Sequence, residues 1–234
     1  MHTGVTALLV LINCSLWKKK KKKHCWLGKD SVCNADLTVN PWHCLSCPAL
    51  KCRSIYRRHN AVVDLLLRFA RAHSCLAHAI KKDLSDRVPD GLVHFGDRSV
   101  YFDVSGVSLT APSYSHMAPG AALRARETSK VTKYFNFARD NDAKIAPFVL
   151  DCFGSLGKKS MQFLDSIVEE SALDSCPGAS MTKSSFLTQL SVVWQAGNAK
   201  IFQEWATEMR KLAHRSRQRP SVSLAARLVG TCRA

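Results

Sequence analysis

Two aspartates in the middle of the chain have the residue type and spacing that suit metal-dependent phosphodiester chemistry. Asp90 precedes a short apolar segment, Leu92 to Phe95. Asp103 lies within a second one, Ser99 to Val107, and Gly96 begins the turn expected between the two segments. Because neighbouring strands lie about 5 Å apart, such a hairpin can bring both carboxylates to one edge. Their oxygens are the hard ligands that Mg²⁺ accepts.

Two lysines further along the chain complete this candidate catalytic site. Mg²⁺ between Asp90 and Asp103 would polarise a phosphodiester and lower the pKa of an attacking water. A nearby lysine would orient that water or stabilise negative charge in the transition state. The compact Asp-x-Lys arrangement is absent because Ser105 follows Asp103 by two residues. Lys130 and Lys133 lie three apart on a predicted helix, so one of them can point at the sheet. An ordinary Pro-Asp-Gly turn is the alternative.

The helix expected before this hairpin carries further candidates. Its apolar stripe follows Asn60, a plausible N-cap. Asp64 interrupts the stripe, either as an additional catalytic acid that binds metal or as an acid on the solvent face. Arg57 and Arg58 precede the stripe and could contact phosphate groups. The alternative is that this basic block only begins and caps the helix.

Cysteines and histidines are concentrated towards the N-terminus, where five of the ten cysteines fall between Cys25 and Cys52. Cys33, His43 and Cys47 offer the ligand types and short spacing that tetrahedral Zn²⁺ takes. Segment 25–58 has little apolar periodicity, so it needs a metal or a neighbouring domain to fold. The alternative is a reduced cluster that binds nothing. The candidates for the fourth zinc ligand are Asp30, Cys25 and His59.

Composition and charge restrict the class of partner. The 234 residues are 46% hydrophobic and 22% charged, which is typical of a globular protein. The formal net charge is +16, and the run Lys18 to Lys23 accounts for six of these charges. The remaining positive charge favours a polyanionic partner, DNA with RNA as the alternative. The apolar run Val5 to Ile12 is too short to span a bilayer, so we expect no membrane partner. We also expect no small-molecule substrate.

The order of predicted elements indicates an α/β (α+β) fold, with a small mixed sheet flanked by helices. We expect an unstructured leader with poly-Lys, a zinc-knuckle-like segment, a core, a linker, a helical extension and a basic tail. Their ranges are 1–24, 25–58, 59–172, 173–183, 184–213 and 214–234. Two helices, 184–196 and 198–213, form the extension, and its aromatic residues have the spacing of packing residues.

Several stretches in a fixed order resemble one family. They are His43-Cys-Leu-Ser-Cys47, Arg57-Arg-His-Asn60 with Asp64-Leu-Leu, Pro89-Asp90 with Asp103-Val, Lys130-x2-Lys133-Tyr134, and the segment Ala146 to Gly157. Together they resemble the C-terminal zinc-knuckle and restriction-like endonuclease region of site-specific non-LTR retrotransposon reverse transcriptase polyproteins. The resemblance covers about residues 30–213 and includes the tail around Gly197-Asn198.

This resemblance implies a restriction-endonuclease-like fold of the PD-(D/E)xK class and Mg²⁺-dependent nicking of target DNA in the nucleus. Asp90 and Asp103 would be the metal ligands, Lys130 or Lys133 the catalytic lysine, and Asp64 the acid of the first helix. The sequence carries no reverse transcriptase region, so we expect a domain that nicks DNA but does not copy RNA. The alternative is a catalytically inactive, zinc-containing nucleic-acid-binding remnant.

Overall fold

A computed structural model describes most of the chain between residues 24 and 218. The ranges it describes are 24–25, 33–40, 42–47, 50, 53–80, 88–111, 113–173 and 180–218. The leader with its lysine run, and Asp30 as a candidate zinc ligand, lie outside the described residues.

Within these ranges the chain forms four α-helices and four strands, which confirms the expected mixed α/β class. The helices are α1 (Arg53–Ala72), α2 (Pro119–Asp140), α3 (Lys158–Leu173) and α4 (Lys183–Gln218). The strands are β1 (Leu76–Ala79), β2 (Gly91–Phe95), β3 (Arg98–Val107) and β4 (Lys144–Asp151). A short 3-10 helix, His43–Leu45, precedes α1. The sequence also predicts a short strand near 78–82 and a buried strand over 146–153. β1 and β4 are the observed counterparts, and each begins two residues earlier.

The four strands form one mixed sheet in the order β1-β2-β3-β4. The predicted hairpin is confirmed, because β2 and β3 pair antiparallel with Gly91 opposite Phe102. β1 pairs antiparallel with β2, whereas β4 runs parallel to β3. A parallel neighbour requires a crossover connection, and α2 supplies it between β3 and β4.

Alternation along β3 separates the core from the face that carries polar groups, because successive side chains of a strand point to opposite sides. Phe102 and Val104 belong to the main buried cluster, which α1, α3 and α4 complete. Asp103 and Ser105 point the other way, where they contact side chains of α2. Val107 continues that second face and packs against residues of α2.

The first helix begins at Arg53, so the prediction that Asn60 caps it is wrong. Its first two turns contact α4 through polar groups as well as through the apolar Ile55. The Ser54 hydroxyl donates a hydrogen bond to Glu204 Oε1, and the Arg58 guanidinium lies 4.0 Å above the centre of the Trp194 ring. Such contacts between distant segments leave no periodic signal in the sequence.

The C-terminal segment is one continuous helix, not the two helices expected on either side of Gly197, and it extends through residue 218 into the expected basic tail. Gly197 lies inside this helix, and the Arg58 side chain lies against it, in the space that a Cβ atom would occupy. Trp194, Phe202 and Trp205 are buried, which confirms that these aromatic residues pack.

Candidate functional site

Backbone hydrogen bonds hold Asp90 beside the segment of β3 that carries Asp103. The N–H of Asp90 donates to the carbonyl of Phe102 at 2.9 Å. In return, the N–H of Val104 donates to Asp90 Oδ2 at 2.7 Å. The two bonds flank Asp103, and both aspartates are buried. The hairpin therefore places Asp90, directly before β2, next to the part of β3 that carries Asp103, as the spacing predicts.

Helix α2 lies along β3 and presents a lysine to this pair. Lys130 Nζ lies 2.8 Å from Asp103 Oδ2, with side-chain exposures of 13% and 3%. Two further contacts of the same face show that α2 follows the strand in the opposite direction: Tyr101 with Phe137, and Ser105 with Arg126.

Of the two candidate lysines, the structure brings Lys130 to the aspartates. Lys133 is exposed, and its Nζ lies 4.7 Å from the centre of the Tyr134 ring. The spacing of three residues predicts that only one of them can point at the sheet. Which one does so depends on how α2 is rotated on β3.

Asp103 Oδ2 is a buried oxygen, and the Lys130 ammonium is its partner at 2.8 Å. A carboxylate oxygen has more than one lone pair, so Asp103 Oδ2 can accept a second partner beside that ammonium. Carboxylate oxygens are the ligand type that a hard divalent cation takes.

His59 also reaches the site, which the sequence does not predict. Its Nε2 lies 3.1 Å from Asp90 Oδ1, and its side chain is 28% exposed. The expectation that His59 is a zinc ligand is therefore corrected, because the imidazole faces the aspartate instead of the cysteines. The signal for His59 in the sequence is its place directly after two arginines on the first helix, which fits a phosphate contact or the fourth zinc ligand and does not point to Asp90.

The remaining candidates on α1 lie apart from the carboxylate pair. Asp64 is exposed and lies about 140° around the helix from His59, on the side that faces solvent. Arg57 is also exposed. Arg58 instead packs on Trp194 and donates to Asn198 Oδ1, so it is committed to the fold rather than presented to a phosphate.

Two polar residues of α2 next to Lys130 have structural partners. Arg126 Nε donates to Ser105 Oγ at 2.8 Å. The Glu127 carboxylate accepts from the backbone N–H of Lys159 at 2.8 Å, which satisfies a free amide in the first turn of α3. Glu127 is therefore a buried cap and not a third acid of the carboxylate pair.

Three cysteines and one histidine form a second cluster. The ligand atoms of Cys25, Cys33, His43 and Cys47 all lie within 4.8 Å of one another. Cys25 Sγ and Cys47 Sγ are 3.8 Å apart, and Cys33 Sγ is 3.2 Å from His43 Nε2. Two thiolates on one tetrahedral Zn²⁺ lie about 3.8 Å apart when each Zn–S bond is about 2.3 Å. The cluster could therefore hold a metal such as zinc.

This cluster confirms the grouping of Cys33, His43 and Cys47, and it selects Cys25 from the alternatives for a fourth member. Cys25 reaches it because its N–H donates to Ala35 O and its carbonyl accepts from Asn34 N–H. Asn34 makes this reversal possible with a left-handed φ of 54°, which asparagine tolerates.

The segment around the cluster packs against α4. Leu37 and Cys44 join Ile201, Phe202 and Trp205 in a separate buried cluster. Burial raises the pKa of the Cys44 thiol to about 12, so Cys44 stays protonated and serves as a packing residue. We call the described residues between 24 and 50 together the knuckle.

Neither the protein-family models nor the curated proteins with which this sequence was compared match it. The family resemblance therefore stays a prediction from the motifs. Among the described residues, no helix has both the length and the apolar character needed to cross a bilayer.

Proposed function

We propose that this chain is a retroelement-derived, Mg²⁺-dependent DNA endonuclease domain with a restriction-like core and a zinc-binding knuckle. The observation that carries the proposal is the buried contact of Lys130 with Asp103, together with the hydrogen bonds that hold Asp90 alongside. The helix, three antiparallel strands, crossover helix and parallel strand support a restriction-like core, because this order is the one that the resemblance implies.

Each residue of the site has a defined part in the proposed reaction. Asp90 and Asp103 would hold Mg²⁺ with their carboxylate oxygens. When bound, the ion would polarise the phosphodiester and lower the pKa of a water. Lys130 neutralises Asp103 in the free protein and offers positive charge next to the position of the scissile phosphate. His59 restrains the second carboxylate by its contact with Asp90.

The knuckle has a structural part in this proposal. Its donor set of three cysteines and one histidine is the kind found in closed structural zinc sites. Its apolar side covers Phe202 and Trp205 of α4, so we infer that zinc holds the knuckle on that helix.

A catalytically inactive remnant is the second candidate, and one observation favours it. Both oxygens of Asp90 have protein partners, the Val104 N–H and the His59 imidazole. A carboxylate held in this way can be a structural anchor for the hairpin. Nucleic-acid binding would then persist without cleavage.

Nicking of supercoiled plasmid DNA separates the two candidates. We expect wild-type protein to nick in Mg²⁺ and Asp103→Asn to lose the activity. Lys130→Gln should lower the rate by at least about 100-fold, because it removes a charge next to the transition state. Lys133→Gln, three residues away on the same helix, is the matched control and should retain the rate.

Two results would contradict the proposal. If nicking survives Asp90→Asn and Asp103→Asn, the site is wrongly assigned. If the wild-type protein binds DNA but does not nick it in Mg²⁺ or Mn²⁺, the remnant is the correct description.

A further inference from the structure

The exposed side of α1 is a basic stripe that neither the carboxylate pair nor the knuckle uses. Six exposed residues recur at helical spacing along it and fall within about 120° of the helix circumference, over a length of about 22 Å. They are Arg53, Tyr56, Arg57, Asn60, Asp64 and Arg68. We call this set the α1 stripe.

The arginines of the α1 stripe are not neutralised within the described structure. Arg53, Arg57 and Arg68 make no ion pair with a described residue. Other exposed arginines do: Arg98 pairs with Glu170, and Arg139 pairs with Asp140. Asp64 lies one turn from Arg68 and offsets part of the charge at that end of the stripe. The uncompensated positive charge is therefore at Arg53 and Arg57, where it attracts a polyanion.

The position of these charges is unfavourable for the helix itself. Arg53 and Arg57 occupy the first turns of α1, and no acidic residue lies in the first turn. The positive end of the helix dipole lies there, so basic side chains destabilise the helix start. A feature that opposes local stability is more readily explained by binding than by folding.

Tyr56 gives the surface a second chemical property. It is 73% exposed and lies one turn or less from both Arg53 and Arg57. It also precedes His59 by three residues, so it lies between the arginines and the Asp90 carboxylate on the helix surface. Exposed aromatic rings among basic side chains are typical of surfaces that bind single-stranded nucleic acid, where the ring stacks on a base.

We propose that the N-terminal half of the α1 stripe binds a single strand of DNA that leads to the carboxylate pair. Arg53 and Arg57 contact its phosphates, and Tyr56 stacks on an unpaired base. The choice of DNA rests on the proposed function, whereas binding itself requires no cleavage. An acidic protein surface would satisfy the arginines but would leave the exposed tyrosine without a role.

Fluorescence anisotropy of the full chain tests this inference, with Mg²⁺ omitted so that no DNA is cut. The probes are a short fluorescein-labelled single-stranded DNA, the duplex of the same sequence, and labelled polyglutamate. The variants are Arg53→Gln/Arg57→Gln, Tyr56→Ala and Tyr56→Phe. Arg98→Gln/Arg139→Gln is the control that removes the same number of exposed charges elsewhere. Equal melting temperatures establish that the variants are folded.

The arginine variant should change the salt dependence of binding, whereas the tyrosine variant should weaken binding without changing its salt dependence. The logarithm of single-strand affinity falls with the logarithm of salt by about 0.7 per neutralised phosphate. Arg53→Gln/Arg57→Gln should therefore reduce this slope by about 1.4 relative to the control double variant. Tyr56→Ala should weaken single-strand binding by about 5- to 100-fold at an unchanged slope, and Tyr56→Phe should retain wild-type affinity.

Any one of four outcomes overturns the inference. The arginine double variant could change the slope no more than its control does. Tyr56→Ala could weaken duplex and single-strand binding equally, or Tyr56→Phe could fail to restore affinity. Polyglutamate could bind as tightly as DNA. Wild-type protein that binds single-stranded DNA in this way but does not nick plasmid DNA in Mg²⁺ would count against the proposed function alone.

Discussion

Replacement of Cys25 should remove zinc from the knuckle and release the knuckle from α4. Cys25 contributes one of the four ligand atoms, and its Sγ lies 3.8 Å from Cys47 Sγ. A site with three ligands binds a structural metal far more weakly than one with four. Loss of a residue that only supports a ligand lowers metal affinity by up to about 100-fold, so we expect Cys25→Ser, which removes a ligand itself, to lower zinc affinity by more than that. Metal binding and folding of such a segment are coupled.

The loss of stability follows from the side chains that the knuckle covers. Ile201, Phe202 and Trp205 of α4 are buried in the cluster shared with the knuckle. Burial of each contributes about 1.5–3 kcal/mol, which is about 4.5–9 kcal/mol for the three. Release of the knuckle should cost roughly 5 kcal/mol, near the lower end of this range, because an unfolded segment still covers part of this surface. Cys44→Ala is the matched control. It removes one buried sulfur next to a ligand, should cost about 1–2 kcal/mol, and should leave the zinc content unchanged.

Zinc content after purification and tryptophan emission during chelation measure both effects. Trp205 should become exposed and shift its emission to the red, and Trp42 should do the same when it leaves its edge-on contact with Phe153. Trp205→Phe should remove the Trp205 part of that shift. Trp194 lies in the main core and should be unaffected. The reasoning is refuted if Cys25→Ser retains stoichiometric zinc, or if Cys44→Ala loses it as completely as Cys25→Ser does.

Two further predictions concern α1. His59→Ala removes the imidazole 3.1 Å from Asp90 Oδ1. It should lower the plasmid nicking rate by about 10- to 100-fold, as loss of a residue that supports a metal ligand does, and leave the melting temperature unchanged. An unchanged rate would show that His59 does not position the carboxylate. Arg58→Ala loses the contact with the Trp194 ring and the bond to Asn198, so urea denaturation should show a destabilisation of about 2–4 kcal/mol. The neighbouring exposed Arg57→Ala should stay within about 0.5 kcal/mol of wild type, and equal effects of the two substitutions would contradict the assignment of Arg58 to the fold.

Local patterns were sufficient for much of the fold. Alternation in β2 and β3 with a Gly-Asp turn predicts the hairpin, because a strand has a period of two and the turn requires the positive φ that Gly96 adopts. Short spacing between Cys33, His43 and Cys47 predicts their grouping. The start of α1 and the continuity of α4 could not be predicted in this way. The two helices contact each other there, for example through Arg58 and Trp194, and contacts between distant segments leave no periodic pattern in the sequence.

The sequence by itself determined that this protein has a hairpin with two aspartates, a helix with two lysines after it, and a segment of cysteines and histidines before it. Only the tertiary structure decided that Lys130 contacts Asp103, that His59 contacts Asp90, and that Cys25 completes the metal cluster. The physical reason is that periodicity specifies which face of an element is buried. The rotation of α2 on β3 and the contact of α1 with α4 depend on packing between residues far apart in the chain, and that packing selects one polar partner among neighbours that the sequence leaves equivalent.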